Sequence, residues 1–258
     1  MNNLTNSATP TTAATTVHAP HAVLPEYYPS EAARREFVGS IFDDTAVDYD
    51  RVERVLGLGS GSWYRHQALV RAGLIPGMHM LDVAIGTGLV SREALSVLKG
   101  NGSIIGVDPS RGMMKVAHFD EPIELVQGRA EDLPFASASF DFLSLGFALR
   151  HVSDMERVFG EFRRVLKPGG RAMILELTRP AGGFAQSLAK LYFRGIVPTL
   201  SRLVARNAET PKLWRYYWDT IEACAPPEQV LDTLRVVGFT NVMRHVEVGI
   251  FSEYRAIA

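Results

Sequence analysis

Glycine and acidic residues lie together at the end of one apolar segment of the chain. Residues 81–84 (Leu-Asp-Val-Ala) read as a buried strand, and residues 85–88 (Ile-Gly-Thr-Gly) follow as a turn before a helical stretch. Glycines let a backbone approach a ligand closely, and the first turn of a helix offers unpaired N–H groups. The segment therefore predicts a nucleotide-binding turn between a strand and a helix.

The residues around this turn discriminate between nucleotide ligands. A dinucleotide-binding turn has a third glycine, where this chain has Ser91. The Asp82 carboxylate would repel a pyrophosphate and attract a cationic sulfonium ligand, or alternatively accept hydrogen bonds from loop amides. Asp108, twenty residues after the turn, ends the next strand and can accept both hydroxyls of an adenosine ribose; the alternative is a helix cap before Pro109. We therefore favour a sulfonium nucleoside over a nicotinamide dinucleotide.

The elements that would position these residues alternate along the chain. Predicted strands cover residues 78–84, 103–107, 123–126, 140–145 and 171–177. Helical stretches between them begin near Leu89, Ser110 and Asp154. This alternation predicts an α/β fold with a doubly wound, mostly parallel sheet. Residues 241–248 and 250–256, separated by Gly249, predict an antiparallel hairpin at one edge of the sheet.

Three regions follow from this reading. Residues 1–25 are predicted to form a disordered tail, because ten of the first twenty residues are Thr or Ala and none of those twenty is Asp, Glu, Lys or Arg. Residues 26–77 form an amino-terminal helical cover, with helices at 30–42 and 63–72. Residues 78–258 form the ligand-binding core, with a helical insertion at about 183–222 that Pro198 interrupts.

Composition limits the classes of function. Lys plus Arg (27) nearly balance Asp plus Glu (28), which argues against nucleic acid as a partner. The single cysteine, Cys224, excludes an intrachain disulfide and a cysteine-based zinc site, and we predict no metal ligands. Because no run of 18 apolar residues and no secretion signal is present, we expect a cytoplasmic protein.

Six motifs, taken in order, resemble one known family. They are Leu81–Gly88, Gly106–Asp108, Gly128–Phe135, Ser139–Asp141, Phe147–Asp154 and Val165–Gly170. Together they resemble the UbiE-type ubiquinone/menaquinone C-methyltransferase family, from about Phe42 to about Tyr254. The resemblance implies a class I methyltransferase fold, which is Rossmann-like, with a seven-stranded sheet and a carboxyl-terminal hairpin. It also implies S-adenosyl-L-methionine as the methyl donor.

The resemblance also indicates which residues contact the donor. The candidates are Tyr49, Ala84, Gly86, Thr87, Gly88, Asp108, Pro109, Met113, Arg129, Ala130, Glu131 and Gly146. Arg129 stands where the family usually has Asp or Asn for the adenine amino group, which leaves Glu131 or Asp132 as its replacement. Gly146 replaces a usual Ser, and Ile85 replaces a smaller or sulfur-bearing residue.

Arg150 and His151 are the candidate catalytic residues, because they stand where the family has an Arg-Asn pair near the acceptor. The guanidinium would stabilise a phenolate, and the imidazole would act as a base. The alternatives are an ion pair between Arg150 and Asp154 and a helix-capping role for His151. Tyr49 contacts donor or acceptor, or alternatively only packs as an aromatic residue.

These observations predict an S-adenosylmethionine-dependent methyltransferase that C-methylates a quinol-like or phenolic aromatic small molecule. The alternatives are O- or N-methylation of another secondary metabolite and a donor-binding protein without catalysis. A nicotinamide oxidoreductase is disfavoured by Asp82 and Ser91. The insertion is apolar and basic, with no acid between Phe184 and Arg206, and is predicted to be a lid, a peripheral membrane contact or ordinary packing. A homodimer is also left open.

Overall fold

A seven-stranded sheet forms the centre of the computed structural model, which describes residues 19–57 and 59–258. The strands are β1 (His79–Val83), β2 (Ser103–Asp108), β3 (Glu124–Gln127), β4 (Phe140–Gly146), β5 (Leu166–Leu177), β6 (Thr240–Glu247) and β7 (Phe251–Ile257). Their order across the sheet is β3-β2-β1-β4-β5-β7-β6. The first five strands pair in parallel, whereas β7 pairs antiparallel with both β5 and β6. The predicted doubly wound sheet with its edge hairpin is thereby confirmed.

Helices cover both faces of the sheet and one of its ends. They are α1 (Glu31–Leu56), α2 (Ser60–Ala72), α3 (Leu89–Leu98), α4 (Arg111–Val116), α5 (Met155–Val165), α6 (Gly183–Lys190), α7 (Val197–Val204), α8 (Thr210–Ala223) and α9 (Pro227–Val236). A short 3₁₀ helix, Leu149–His151, follows β4, and a π-helical stretch, Leu191–Ile196, joins α6 to α7. We call residues 183–222 the insertion.

The core is divided among three hydrophobic clusters. One face of the sheet packs on α5 and α9 through residues such as Leu143, Phe159 and Leu234. The other face packs on α2 and α3 through Leu69 and other buried residues. A third cluster joins α1 to the insertion. Because central parallel strands are covered on both faces, they read as nearly continuous apolar segments in the sequence.

Three predicted boundaries differ from the structure. The helix predicted at 30–42 continues to Leu56, because polar residues that follow Phe42, such as Asp43 and Asp48, have hydrogen-bond partners on neighbouring elements. The helical path of the insertion is not broken at Pro198, which is the second residue of α7 and directly follows the π-helical stretch. β5 begins at Leu166 rather than Arg171, and its Pro-Gly-Gly segment forms an irregularity in the pairing with β4.

Part of the predicted tail is packed against the domain. Residues 1–18 lie outside the described residues. The Ala225 N–H donates to the Pro20 carbonyl at 2.6 Å, and His21, which is 5% exposed, lies 3.1 Å from the Arg34 guanidinium. The prediction of a tail as far as residue 25 is therefore wrong for this stretch, since a buried imidazole needs the domain around it. Among the described residues, none of the helices is long and apolar enough to cross a membrane.

Candidate active site

The carboxyl ends of β1, β2 and β4 border a cavity of about 190 Å³. Parallel strands bring these ends to one edge of the sheet, where α/β proteins bind ligands. The predicted donor-contacting residues that line it are Tyr49, Ala84, Gly86, Thr87, Asp108, Pro109, Met113, Arg129, Ala130, Glu131 and Gly146. Gly88 is the exception, because it is buried at the N-cap of α3. The structure thus brings together residues from distant parts of the sequence in one site, which we call the donor cavity.

Asp108 is held by the backbone on both of its carboxylate oxygens. Its Oδ2 accepts from the Gly86 N–H at 2.8 Å, and its Oδ1 accepts from the Ser110 N–H at 2.7 Å. The cap of α4 is Ser110 and not Asp108. Each carboxylate oxygen has a second acceptor position, so two hydroxyl groups can still bind. Burial raises the pKa of Asp108 to about 6, and the nearby carboxylates of Asp82 and Asp43 act in the same direction.

Asp82 lies behind the donor cavity rather than in its wall. Its Oδ1 accepts from the Ser144 hydroxyl at 2.5 Å, and its Oδ2 accepts from the Ser91 hydroxyl at 2.6 Å. Burial raises the pKa of Asp82 to about 6, although these two serines lower it. Asp82 therefore fixes the sheet to α3 through Ser91, whose backbone N–H also lowers the pKa of Asp82, and Asp82 does not line the donor cavity. The absent dinucleotide glycine is explained as well, since Ser91 is needed for this bond.

The turn after β1 depends on left-handed backbone conformations. Gly86 and Gly88 have φ angles of 56° and 86°, and a Cβ on Gly88 would lie 2.2 Å from the Phe119 ring. Ala84 has φ 54°, a conformation that costs a non-glycine residue about 1–3 kcal/mol. Strain of this kind persists only where the surroundings hold it, and it is typical of ligand-binding positions.

Two departures from the family pattern are compensated by their neighbours. A Cβ on Gly146 would lie 2.7 Å from Cγ2 of Val90, so a residue without a side chain at position 146 leaves room for the valine at position 90. A Cβ on Gly106 would lie 2.2 Å from Cδ1 of Ile85, so the larger Ile85 occupies the space over a glycine. The side chains of Val90 and Ile85 thus fill the space beside these two glycines.

Glu131, and not Asp132, provides a carboxylate at the wall where the resemblance puts adenine. Its Oε1 accepts from both the N–H and the hydroxyl of Ser153, at 2.8 and 2.7 Å. Burial alone would raise its pKa, but these hydrogen bonds and the charge of Arg129 hold the pKa below its usual value. Arg129 extends outwards and lies 3.3 Å from the Glu131 carboxylate. Asp132 is exposed and does not line the cavity.

Helix α1 forms a roof over the donor cavity, and two aspartates fix it there. Asp43 accepts from the Ser110 hydroxyl and, at 2.8 Å, from the Gly112 N–H at the start of α4. Asp50, seven residues further along, accepts from the Thr87 hydroxyl and pairs with Arg92 at 2.6 Å. Sequence reasoning missed both acids. Their spacing was the available signal, because residues seven apart share one helix face.

A larger cavity of about 1320 Å³ lies between the insertion, α1, α2 and the β6–β7 turn. Most of its wall is apolar, with Leu177, Leu188, Phe193, Ile196, Val197 and Phe251 among the lining residues. We call it the acceptor-side cavity. It shares four lining residues with the donor cavity: Tyr49, Arg65, Phe147 and Tyr217. The two cavities therefore meet at one wall, which the sequence did not predict.

Arg150 is fully buried in an ion pair with Glu176 of β5. Its Nη1 donates to Glu176 Oε1, and its backbone N–H donates to Oε2 at 3.2 Å. The predicted alternative partner, Asp154, instead caps α5. The guanidinium carbon lies 4.1 Å from the centre of the Tyr217 ring, and Nε and Nη2 have no hydrogen-bond partner among the described residues. Arg150 therefore lies behind the shared wall and lines neither cavity.

His151 lines the donor cavity beside Phe42 and Tyr216. Its Nδ1 lies 3.3 Å from the Tyr216 hydroxyl, and its Nε2 is buried without a partner within the described chain. Burial and the positive charges of Arg150 and Arg34 lower the pKa of His151 well below its usual value. The imidazole is neutral at pH 7 but a weaker base than an exposed histidine, and it does not cap α5.

The aromatic residues of α8 are all buried, although neighbouring positions face different ways. Trp214 and Tyr217 line the acceptor-side cavity, Tyr216 stacks on His151, and Trp218 stacks on Phe193 of the π-helical stretch. They are buried together because α8 packs against α1, α7 and the π-helical stretch. Two of the four thus line a cavity, and the other two lie in the core.

Asp48 of α1 joins the roof to the insertion. Its Oδ2 accepts from the N–H groups of Arg206 and Asn207, both at 2.7 Å, and from the Thr210 hydroxyl at 3.1 Å. Burial alone would raise its pKa, but these donors and Arg51 hold the pKa of Asp48 below its usual value. A buried, ionised carboxylate thus connects the covers of the two cavities.

Comparisons with known proteins agree with this architecture. A demethylmenaquinone methyltransferase of Symbiobacterium thermophilum is 30% identical over 222 residues, covering 83% of this chain and 88% of that protein. The ubiquinone/menaquinone biosynthesis C-methyltransferase UbiE of Geotalea daltonii is 32% identical over 227 residues, covering 85% of this chain and 95% of that protein. A solved SAM-dependent methyltransferase of Aquifex aeolicus superimposes with a TM-score of 0.57 at 18% identity, covering 81% and 97%, and this likeness concerns the fold.

The sequence profile of one family matches nearly the whole described chain. The match covers residues 30–257, from the start of the roof helix to the end of the last strand. It includes both cavities and the wall between them. The resemblance seen in the sequence is therefore confirmed: the chain belongs to the ubiE/COQ5 methyltransferase family.

Proposed function

We propose that the chain transfers a methyl group from S-adenosylmethionine to a ring carbon of a quinol-like or phenolic small molecule. The residues of the donor cavity fit this donor. Asp108 keeps two acceptor positions for the ribose hydroxyls, Glu131 offers a carboxylate to the adenine amino group, and the Gly86 turn allows close approach. The donor supplies a methyl group on a positively charged sulfur, which is already activated for displacement.

The observation that carries the proposal is the meeting of the two cavities at one wall. A methyl transfer needs donor and acceptor in line at a single point, and such alignment contributes about 7–11 kcal/mol. The acceptor-side cavity is large and mostly apolar, which suits a ring that carries a hydrocarbon chain. Relatives at about 30% identity are named for demethylmenaquinone and for ubiquinone/menaquinone synthesis, which supports an acceptor of this class.

The chain's own residues bind, orient and exclude water. Tyr49, with Phe42 and the rest of α1, covers the donor cavity from solvent. Arg150 contributes positive charge behind the shared wall. It would stabilise negative charge that develops on a ring oxygen of the acceptor at this wall, without contacting the acceptor directly. We propose that His151 binds a water or the acceptor through its free Nε2, as a weak base rather than as the main one.

The decisive experiment is product analysis with a donor labelled in its methyl group. The purified chain is incubated with ¹³C-methyl donor and a short-chain demethylated prenyl hydroquinone, and the product is examined by NMR. We expect the label on a ring carbon. Label on oxygen, or on the nitrogen of a competing amine acceptor, would replace this proposal with O- or N-methylation. No transfer to any acceptor, despite donor binding, would indicate a binding protein without catalysis.

We also propose that the insertion contacts a lipid surface. Two rows of exposed apolar residues follow its helices, with spacings of four and three residues that place each row on one face. The rows are Phe184, Leu188, Leu191 and Ile196, Leu200, Leu203. Phe184 is 86% and Leu203 80% exposed. Because Leu188 and Ile196 also line the acceptor-side cavity, the exposed surface leads directly into it.

Vesicle flotation tests this contact. We expect the chain to float with phosphatidylcholine vesicles containing anionic lipid, and the double variant Phe184→Glu/Leu203→Glu to lose most of that binding. Val236→Glu is the matched control, because Val236 is 73% exposed on α9, outside the insertion. Equal flotation of the double variant would overturn the proposal. A homodimer that buries the same rows is the other outcome, which light scattering of the lipid-free chain detects.

A further inference from the structure

The wall between the two cavities contains a pair of phenol groups. The hydroxyls of Tyr49, from α1, and Tyr217, from α8, hydrogen-bond to each other. Both side chains line both cavities. If the proposed methyl transfer is correct, the acceptor ring must approach the donor's methyl group at this wall. The phenol pair is then among the few polar groups that the ring meets there.

The pair has one hydrogen-bond donor to spare. Two hydroxyls carry two protons, and the bond between them uses one. Burial raises the pKa of Tyr49 well above its usual value, and burial also raises the pKa of Tyr217. Both hydroxyls therefore keep their protons at neutral pH. They can donate hydrogen bonds to a substrate but do not act as bases.

Tyr217 differs from Tyr49 because a buried cation lies against its ring. The guanidinium carbon of Arg150 lies 4.1 Å from the ring centre, and Glu176 holds the guanidinium in place. The charge of Arg150 opposes the effect of burial on the pKa of both tyrosines, but it is the Tyr217 ring that lies against the guanidinium. The hydrogen bond between the two hydroxyls raises the pKa of Tyr49 and lowers that of Tyr217, as expected when Tyr49 donates, and this leaves the Tyr217 proton free. Such a donor interacts most strongly with an oxygen that becomes negatively charged.

We infer that the Tyr217 hydroxyl, supported by Tyr49 and Arg150, donates a hydrogen bond to the acceptor's ring oxygen beside the carbon that is methylated. This inference rests on the proposed C-methylation and names the group that holds the acceptor. Tyr217 contacts the substrate, whereas Tyr49 and Arg150 are positioning residues that act through it.

The reaction balances without consuming the tyrosine proton. The acceptor hydroxyl releases its proton to water, and electron density moves from that oxygen to the neighbouring ring carbon. A carbon–carbon bond forms to the methyl group while its bond to sulfur breaks, and sulfur keeps that electron pair. The ring carbon then releases its own proton, which restores the aromatic ring, and the oxygen is protonated again. One proton is released in total, and the Tyr217 hydrogen bond stabilises the negative charge on oxygen until the carbon–carbon bond has formed.

Kinetics of the full-length chain test the inference, with wild type measured first on the labelled hydroquinone assay. We expect Tyr217→Phe to lower kcat roughly 10²–10³-fold, the usual effect of removing one oxyanion donor, with KM and the affinity for S-adenosylhomocysteine nearly unchanged. Tyr49→Phe should have a smaller effect, about tenfold, because it removes only a supporting contact. The control is Tyr28→Phe, which removes a buried hydroxyl from the same aromatic cluster but outside both cavities.

A bound phenol gives a readout that a purely structural role would not move. The absorbance of a 2-alkyl-4-nitrophenol reports its ionisation in the complex with S-adenosylhomocysteine. We expect the pKa of the bound phenol to be higher by about one unit or more in Tyr217→Phe than in wild type, because a hydrogen bond to the phenolate is lost. Wild-type kcat and an unshifted phenol pKa in Tyr217→Phe would overturn the inference while leaving the methyltransferase proposal intact. If wild type itself methylates no hydroquinone, the proposed function fails instead.

Discussion

The substitution Asp108→Asn removes the charge that the donor cavity offers to a ribose. The carboxylate can accept two ribose hydroxyls beside its bonds from Gly86 and Ser110. Each hydrogen bond to a charged group contributes about 1.5–3 kcal/mol. The amide keeps one acceptor without charge and turns its NH₂ towards a backbone donor. A loss of about 3 kcal/mol is expected, which corresponds to roughly 10²-fold weaker binding of S-adenosylhomocysteine.

The pH dependence of S-adenosylhomocysteine binding is a second, independent test of the role of Asp108. Because burial raises the pKa of Asp108 to about 6, the ligand-free carboxyl gains a proton as the pH falls through 6. Hydroxyl donors bind the ionised form, so the wild-type affinity is complete above pH 6 and falls below it, by up to about tenfold per pH unit. The Asp108→Asn variant has no such carboxyl and should bind weakly but evenly between pH 5 and 7.

Isothermal titration calorimetry with S-adenosylhomocysteine at pH 5, 6 and 7 measures both effects. Asp132→Asn is the matched control, since Asp132 is exposed and outside the donor cavity, and it should retain the wild-type affinity and pH dependence. If Asp108→Asn binds as tightly as wild type at pH 7, Asp108 does not hold the ribose and the orientation proposed for the donor is wrong.

Three further predictions concern buried groups in and behind the cavity walls. Burial raises the pKa of Asp82 to about 6, so the protonated carboxyl stabilises the folded chain at low pH. Without ligand, about 1 kcal/mol of the free energy of unfolding should be lost as the pH rises from 5 to 7. Urea titrations of Asp82→Asn should lack this pH-dependent loss. Gly146→Ser should lower the free energy of unfolding by about 1–3 kcal/mol, measured by thermal unfolding, because the new side chain meets Val90. Adding Val90→Ala should recover much of this loss. Purely additive effects of the two substitutions would show that they do not contact each other. Arg150→Met should lower the free energy of unfolding by about 3–5 kcal/mol because it leaves Glu176 buried and unpaired. Adding Glu176→Gln should restore part of this loss. An Arg150→Met variant with the same urea midpoint of unfolding as wild type would contradict the buried ion pair.

The sheet could be predicted because its signal is local. Strands buried on both faces are apolar along their whole length, and the glycine turn and Asp108 follow directly from the ends of two such strands. The roof helix was predicted too short because polar residues such as Asp43 and Asp50 interrupt its apolar pattern. Their seven-residue spacing places them on one helix face but does not identify their partners, which lie at the start of α4, in the turn before α3 and on α3 itself.

The site was harder to predict where partners are distant in sequence. Sequence reasoning offered Asp154, a near neighbour in the loop, as the alternative partner of Arg150, but the partner is Glu176 of β5, 26 residues away. The shared wall brings together residues as far apart as Tyr49 and Tyr217, 168 residues along the chain. Such contacts result from tertiary packing, and the spacing of residues along the sequence does not reveal them.

The contacts between the roof and the insertion have a consequence for how the two cavities open. Asp48 ties α1 to the backbone at Arg206 and Asn207, so outward movement of either cover alone would break both hydrogen bonds to this carboxylate. The cover of the donor cavity and the cover of the acceptor-side cavity are therefore coupled, and a movement that widens one cavity is expected to widen the other.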